Sequence, residues 1–103
     1  MAAGTGGFGS TTDLTRFQLD LLAAITHVKE EAYGLAIKRT LEEAYDDEEV
    51  NTSRHYQNLD ALVEKGLVEK GTLDRRTNEY QISERGRRVL QGRVGWLTGG
   101  GRA

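Results

Sequence analysis

A helix with a clear stop runs directly into a short pair of strands, and this order constrains the fold more than any other feature. In the stretch NTSRHYQNLDALVEKG, Asn51 or Thr52 can cap a helix, and Gly66 stands where a helix ends. The residues that follow suit strands over 67–72 and 78–83, joined by the turn LDRRTN. Since so small a hairpin is not stable alone in water, it must pack on helices.

Three other segments carry apolar residues at helical spacing. TTDLTRFQLDLLAAITHV predicts a first helix capped by Thr12 or Asp13, and SERGRRVLQGRVGWL predicts a last helix capped by Ser83. In the second segment, EEAYGLAIKRTLEEAY, Gly34 permits close packing or marks a bend, and the predicted inner side consists of Leu35, Ile37, Leu41 and Tyr45. Six of the eight residues 42–49 are acidic, which predicts a solvated connector. The predicted fold is therefore mostly α with a small β-hairpin, a winged helix-turn-helix over residues 12–83.

The composition excludes several classes of function. The 103 residues are enough for one domain, and the absence of cysteine excludes disulfides and zinc–thiolate sites and fits a cytoplasmic protein. No segment is apolar for long enough to span a membrane, and the start lacks the regions of a signal peptide. No catalytic motif stands in a recognisable context, so we predict neither an enzyme nor a cofactor. His27 and His55 lack a third ligand at useful spacing, so we predict no metal site and expect His55 to be a hydrogen-bonded core histidine.

The formal net charge of −2 conceals two halves of opposite sign. Residues 1–50 contain 4 Lys and Arg against 10 Asp and Glu, whereas residues 51–103 contain 10 against 6. A basic second half indicates contact with a polyanion, although charges scattered over a solvated surface would give the same count.

The chain resembles the PadR family of transcriptional regulators over roughly residues 14–97, and is similar to its haloarchaeal members. The resemblance rests on HYQNLDALVEKGLVEKG, on the wing sequence DRRTNEY, on the ending YQISERG and on YGLAIKRTLEE. His55 and Gln57 stand where the family often has an apolar residue and a proline. The resemblance implies a DNA-binding winged helix whose third helix is the recognition helix.

The first turns of the recognition helix supply the predicted base contacts. If His55 faces the core, Ser53, Arg54 and Gln57 face away from it, and Arg54 suits a guanine edge while Gln57 suits adenine. Thr52 and Ser53 suit a phosphate oxygen, although both can be mere caps and Arg54 a solvated side chain. The resemblance implies that the ring of Tyr56 packs while its hydroxyl reaches a phosphate.

The hairpin supplies the predicted backbone contacts. Arginines at a wing turn can enter the minor groove or clamp the flanking phosphates, and an ordinary solvated turn is the alternative. The wing and backbone set comprises Lys65, Lys70, Arg75, Arg76, Thr77 and Asn78.

The last helix, over residues 84–98, carries an apolar stripe that must pack on something. The resemblance implies a symmetric homodimer built from this helix and the first one, although the stripe can instead close the chain's own core. The predicted dimer residues are Leu14, Phe17, Leu21, Val89, Leu90, Val94, Trp96 and Leu97. Residues 1–11 and 99–103 are predicted to be disordered tails.

These expectations describe a homodimeric regulator, a repressor, that binds double-stranded DNA at a palindromic site. The sequence does not identify a small-molecule effector, and no membrane partner is expected. The alternative is a winged-helix module that binds another protein and no DNA.

Overall fold

The computed structural model describes residues 14–29, 31–75 and 77–97. They form, in order, α1 (Arg16–His27), α2 (Gly34–Ala44), α3 (Thr52–Glu64), β1 (Val68–Asp74), β2 (Thr77–Ile82) and α4 (Glu84–Leu97). The predicted winged helix-turn-helix is confirmed, with β1, β2 and their turn as the wing. The predicted tails, Arg76 and the side chains of Val94, Trp96 and Leu97 lie outside the described residues.

Side chains cap three of the helices. The Thr15 hydroxyl accepts a hydrogen bond from the Gln18 backbone N–H (3.1 Å), while the Gln18 side chain accepts one from the Thr15 N–H (3.2 Å). This reciprocal pair satisfies two otherwise unpaired donors, so α1 is capped by Thr15 and the prediction of Thr12 or Asp13 is wrong. Asn51 caps α3 through the Arg54 N–H at 2.8 Å.

One hydrophobic core lies between the helices and the inner face of the wing, and α1 contacts α2, α3, α4 and β2. Leu21 is 0% exposed and Phe17 only 6%, so they pack within the chain. They therefore have almost no surface to offer a second copy, which differs from the predicted dimer contacts. Val89 and Leu90 are partly buried against the same core, so the first half of α4 closes the chain's own core.

Leu35 was expected on the inner side of α2 and is instead 46% exposed. Residues two apart on a helix lie on nearly opposite sides, so Leu35 and Ile37 cannot both face the core. Ile37 is fully buried there, together with Leu41.

A partly buried ion pair holds the connection from α2 to α3. Lys38 Nζ lies 2.7 Å from Glu42 Oε2, which also accepts the Val50 backbone N–H at 2.8 Å. The hydrogen bond from Lys38 and then that from Val50 lower the pKa of Glu42. Asp46 and Asp47, with φ of 60° and 64°, make the turn, and residues 46–49 are exposed as predicted for a solvated connector. The connector predicted over residues 42–49 is shorter in the structure, because residues 42–44 belong to α2.

The base of the wing, formed by Gly66, Leu67, Ser83 and Gly86, joins β1, β2 and α4. Gly66 ends the turn after α3 with φ of 75°, as its position in the sequence predicted. Ser83 donates its hydroxyl to the Gly66 carbonyl (2.7 Å) and its N–H to the Leu67 carbonyl (2.9 Å). The same hydroxyl accepts the Gly86 N–H at 3.0 Å, which confirms Ser83 as the cap of α4.

The wing also pairs with the segment before α2. Its strands are antiparallel, with Val68 opposite Ile82 and Lys70 opposite Tyr80. On the other side of β2, Tyr33 forms a bridge with Glu79, and the Tyr80 N–H donates to the Ala32 carbonyl at 2.8 Å. The hairpin is therefore supported by the core below it and by this third extended segment beside it.

Candidate nucleic-acid interface

The recognition helix α3 presents the face that the sequence predicted. His55, Leu59 and Leu62 are buried, and the exposed side chains in its first turns are those of Thr52, Ser53, Arg54 and Gln57. A helix fits the major groove of DNA with its N-terminal residues nearest the base edges. The positions predicted to read bases are thus accessible together on one side of α3.

Arg54 is exposed, but its guanidinium lies against a ring of α1. Its guanidinium carbon lies 4.1 Å from the centroid of the Phe17 ring. Asn58, one turn along α3, donates to the Arg54 carbonyl (2.8 Å) and accepts from the Gln18 side chain (3.0 Å). Sequence reasoning missed Gln18 and Asn58, because a polar pair between two helices leaves no periodic signal in either helix.

The start of α2 packs directly on α3. The Tyr56 ring lies over Gly34 so closely that a Cβ there would meet Tyr56 Cε1 at 2.4 Å, which confirms the close packing predicted for this glycine. His55 Nε2 lies 2.8 Å from the Gly34 carbonyl, and the His55 and Tyr56 rings meet edge to face with centroids 4.9 Å apart. These contacts determine where the Tyr56 hydroxyl points.

His55 is a core histidine, as predicted. Its side chain is fully buried, and its Nδ1 has no hydrogen-bond partner among the described residues. Burial lowers the pKa of His55, and the hydrogen bond with the Gly34 carbonyl opposes that shift only in part. Since a neutral imidazole can donate through one nitrogen only, Nε2–H donates to Gly34 and Nδ1 carries no proton.

A groove beside Tyr56 joins three elements that are distant in the sequence. This Tyr56 groove has a volume of about 330 Å³ and is lined by Tyr33, Gly34, Leu35, Tyr56, Thr77, Asn78 and Tyr80. It brings together three residues that the sequence predicted separately as backbone contacts, Tyr56 from α3 and Thr77 and Asn78 from the wing. Exposed Leu35 was missed, since its apolar character was assigned to the core.

The other predicted wing residues are spread along the hairpin. The turn at Arg75 is exposed, and the Asp74 carboxylate accepts the Thr77 N–H across it at 2.9 Å. Lys70 lies at the opposite end of the wing from this turn, 3.8 Å from the Asp60 carboxylate of α3. Lys65 is the partly exposed C-cap of α3. The structure therefore brings Lys70 to α3 and leaves Arg75 at the tip.

None of the described helices is long and apolar enough to cross a membrane. The described residues also contain no group of three or more His, Cys, Asp or Glu side chains arranged to hold a metal ion.

Comparison with known proteins adds a family to this geometry. A model described as the transcriptional regulator PadR-like family matches residues 21–92. A structure of H. salinarum RosR grown from NaBr matches with 52% sequence identity and a TM-score of 0.75. The match covers 82% of this chain and 74% of that chain. A complex structure of hsRosR-S1 is 50% identical and covers 84% of this chain and 75% of that chain, with a TM-score of 0.77.

A MarR-family transcriptional regulator from Rhodococcus sp. RHA1 shares the fold alone, at 21% identity and a TM-score of 0.59 over 86% of this chain and 63% of that chain. No curated protein sequence matches the chain. The resemblance to haloarchaeal PadR-like regulators that the sequence predicted is confirmed.

Proposed function

Because the chain belongs to the PadR-like family of transcriptional regulators, we propose that it binds double-stranded DNA as a homodimer and represses transcription from a palindromic operator. The single observation that supports this most is the Tyr56 groove, which places a recognition-helix tyrosine beside wing residues Thr77 and Asn78. A phosphate backbone running along the edge of α3 meets all three side chains at once. The protein is expected to act in the cytoplasm, with no metal or cofactor.

The contacts divide into two kinds. Ser53, Arg54 and Gln57 on the exposed side of α3 face base edges, where Arg54 pairs with guanine and Gln57 with adenine. Tyr56 and the wing side chains bind phosphates, which positions the protein but carries no sequence information. Arg75 and Arg76 hold the flanking backbone or enter the minor groove.

The proposed homodimer contact consists of apolar side chains that the chain's own core does not fully bury. Leu14, Val89 and Leu90 are only partly buried in the single chain. With Val94, Trp96 and Leu97 they form the proposed contact between two copies, while Phe17 and Leu21 support it from inside. A two-fold dimer places its recognition helices about 34 Å apart, one turn of duplex, which requires a palindromic site.

The test is selection of binding sites from a random duplex pool. Wild-type protein is expected to enrich a two-fold-symmetric motif. Arg54→Ala should relax the preference at one base pair of each half-site by about 1–3 kcal/mol. Replacing Arg75 and Arg76 together by Ala should instead weaken binding to all sequences and reduce the salt dependence by about one phosphate contact for each lost charge.

The selection also separates this proposal from its rival. If no motif is enriched at any salt concentration, from nearly salt-free to molar, DNA recognition is ruled out and a protein-binding module becomes the better reading. A motif without two-fold symmetry would retain DNA binding and rule out the homodimer on a palindrome.

A further inference from the structure

We propose that the first turn of α1 positions Arg54 for base recognition, with Phe17 as the positioning residue. The inference rests on the proposed function and deepens it, because it says what determines sequence discrimination at one base pair. Phe17 does not touch DNA in this proposal. It acts through the guanidinium that its ring supports.

The geometry restrains Arg54 at three points. Its guanidinium carbon lies 4.1 Å from the Phe17 ring centroid. Its backbone N–H donates to the side chain of the helix cap, Asn51, at 2.8 Å. Its carbonyl accepts the Asn58 side chain at 2.8 Å. Phe17 itself is only 6% exposed, so the ring is held by the core.

A second contact ties the same turn of α1 to the next turn of α3. Gln18 Nε2 donates to Asn58 Oδ1 at 3.0 Å, and Gln18 is itself buried. The other atom of its amide, Oε1, accepts the Thr15 N–H of the α1 cap. A continuous chain of hydrogen bonds therefore runs from the cap of α1 through Gln18 and Asn58 to the backbone of Arg54.

The chemistry of arginine lets support and recognition occur together. An aromatic ring attracts the guanidinium through its face, whereas hydrogen bonds to a guanine or phosphate use the N–H groups around its edge. A long side chain confined before binding loses less rotamer entropy when it meets its target. Confinement by Phe17 should therefore raise the discrimination that Arg54 provides, without adding a contact to DNA.

The opposite reading of the same contact makes a different prediction. If Phe17 holds Arg54 away from DNA, the guanidinium must leave the ring before binding. Removing the ring would then strengthen binding, whereas removing a positioning ring weakens discrimination.

The experiment is a double-mutant cycle on the selected operator and on a copy changed at the base pair whose preference Arg54→Ala relaxes. Phe17→Leu removes the ring face and keeps an apolar side chain. We expect it to lower discrimination at that pair by about 2- to 5-fold, the equivalent of an exposed cation–π contact. In the Arg54→Ala background, the same substitution should cause no further loss at that pair.

Three variants control for a merely structural effect. Ile25→Val also trims a buried side chain of α1 and should lower thermal stability without changing discrimination. Phe17→Tyr keeps the ring face and should retain discrimination. If Phe17→Leu does not fold, Gln18→Met, which breaks only the hydrogen-bond chain, should reduce discrimination at the same base pair.

The outcomes separate the inference from the function on which it rests. Failure of wild-type protein to enrich any motif overturns the proposed function itself. Four other results would overturn the inference and leave the proposed DNA binding intact. Arg54→Ala could leave the motif unchanged, or Phe17→Leu and Gln18→Met could leave discrimination unaltered. Ile25→Val could lose as much discrimination as Phe17→Leu, or Phe17→Leu could bind more tightly than the wild-type protein.

Discussion

The start of the recognition helix and the tip of the wing carry similar charges in opposite settings. Arg54 is held by a ring of α1 and by contacts at its own backbone N–H and carbonyl. Arg75 stands on an exposed turn, across which the Asp74 carboxylate accepts the Thr77 N–H. A restrained side chain suits discrimination between bases, because little ordering remains to oppose it. A charge on an exposed turn suits the sequence-independent attraction to phosphate.

Gly86→Ala tests the close packing at the base of the wing. A Cβ at Gly86 would lie 2.1 Å from the Leu67 carbonyl oxygen, a backbone atom that cannot rotate aside. We expect a loss of about 3 kcal/mol in the free energy of unfolding, at the upper end for overpacking, measured by urea denaturation.

Gly92→Ala is the matched control in the same helix. A Cβ there would meet no heavy atom within 4 Å among the described residues. Removing a helical glycine should therefore stabilise the protein by up to about 1 kcal/mol. Equal stabilities for the two variants would contradict the close approach of α4 to Leu67.

Gly34→Ala addresses the recognition-helix side of the comparison. A Cβ at 2.4 Å from the Tyr56 ring would force that ring to swing away. Since the ring is the end of a side chain, we expect only about 1–2 kcal/mol of lost stability but about tenfold weaker duplex binding. Gly71→Ala in β1, where a Cβ has open space among the described residues, should change both by much less. If both variants bind alike, Tyr56 is no part of the interface.

Lowering the pH should weaken the packing of α3 on the start of α2, around His55, before it affects the rest of the fold. Burial lowers the pKa of His55 below the unfolded value of about 6.5, so below that pH the unfolded chain binds a proton that the folded chain does not. Stability present above pH 6.5 should therefore fall as the pH drops from 7 to 5.5, measured by urea denaturation at each pH.

His55→Gln should flatten this pH dependence, because Gln keeps a donor and does not titrate. His27→Gln, at an exposed position of α1, should leave the fall in place because His55 is still present. The pKa of Glu42 is lowered from 4.5, so its contribution is lost only at lower pH, outside this window. A pH dependence that survives in His55→Gln would contradict the assignment.

The smallest effect concerns a contact between the recognition helix and the base half of the wing. Lys70 of β1 lies 3.8 Å from Asp60 of α3, and both side chains are well exposed. Asp60→Asn should cost less than about 0.5 kcal/mol of stability, as for most exposed pairs. It should strengthen binding to all duplexes by about 2- to 3-fold at low salt, because the Asp60 carboxylate no longer repels the phosphates near Lys70. Filter binding with unrelated duplexes measures this, and a change confined to the operator would argue against it.

Patterns with a strong local cause were predictable from the sequence. Gly66 and Ser83 mark their helix ends because capping depends on residue type at one position. The inward side of α3 followed from helical spacing, and His55 was correctly placed in the core. The cap of α1 was misplaced because four residues in TTDLT suit that position, and only the partner Gln18 distinguishes them.

The candidate interface was predictable as a set of residues but not as an arrangement. Nothing in the sequence links Tyr56 to Asn78, since the Tyr56 groove depends on how the wing folds back across the start of α2. Leu35 was misassigned to the core for a related reason. An apolar side chain can pack in the chain's own core or contact another molecule. Which of the two it does depends on how the helices pack against one another.

The bridge between Tyr33 and Glu79 has a consequence for the order of folding. It joins segments on either side of α2 and α3, so the loop that it closes contains almost half the chain. The chain must lose the conformational entropy of that loop before the wing is in place. During synthesis, the recognition helix α3 (Thr52–Glu64) leaves the ribosome before β2 (Thr77–Ile82) completes the wing. The protein is thus expected to become competent for its target in one late step, rather than passing through a half-built form that already grips nucleic acid.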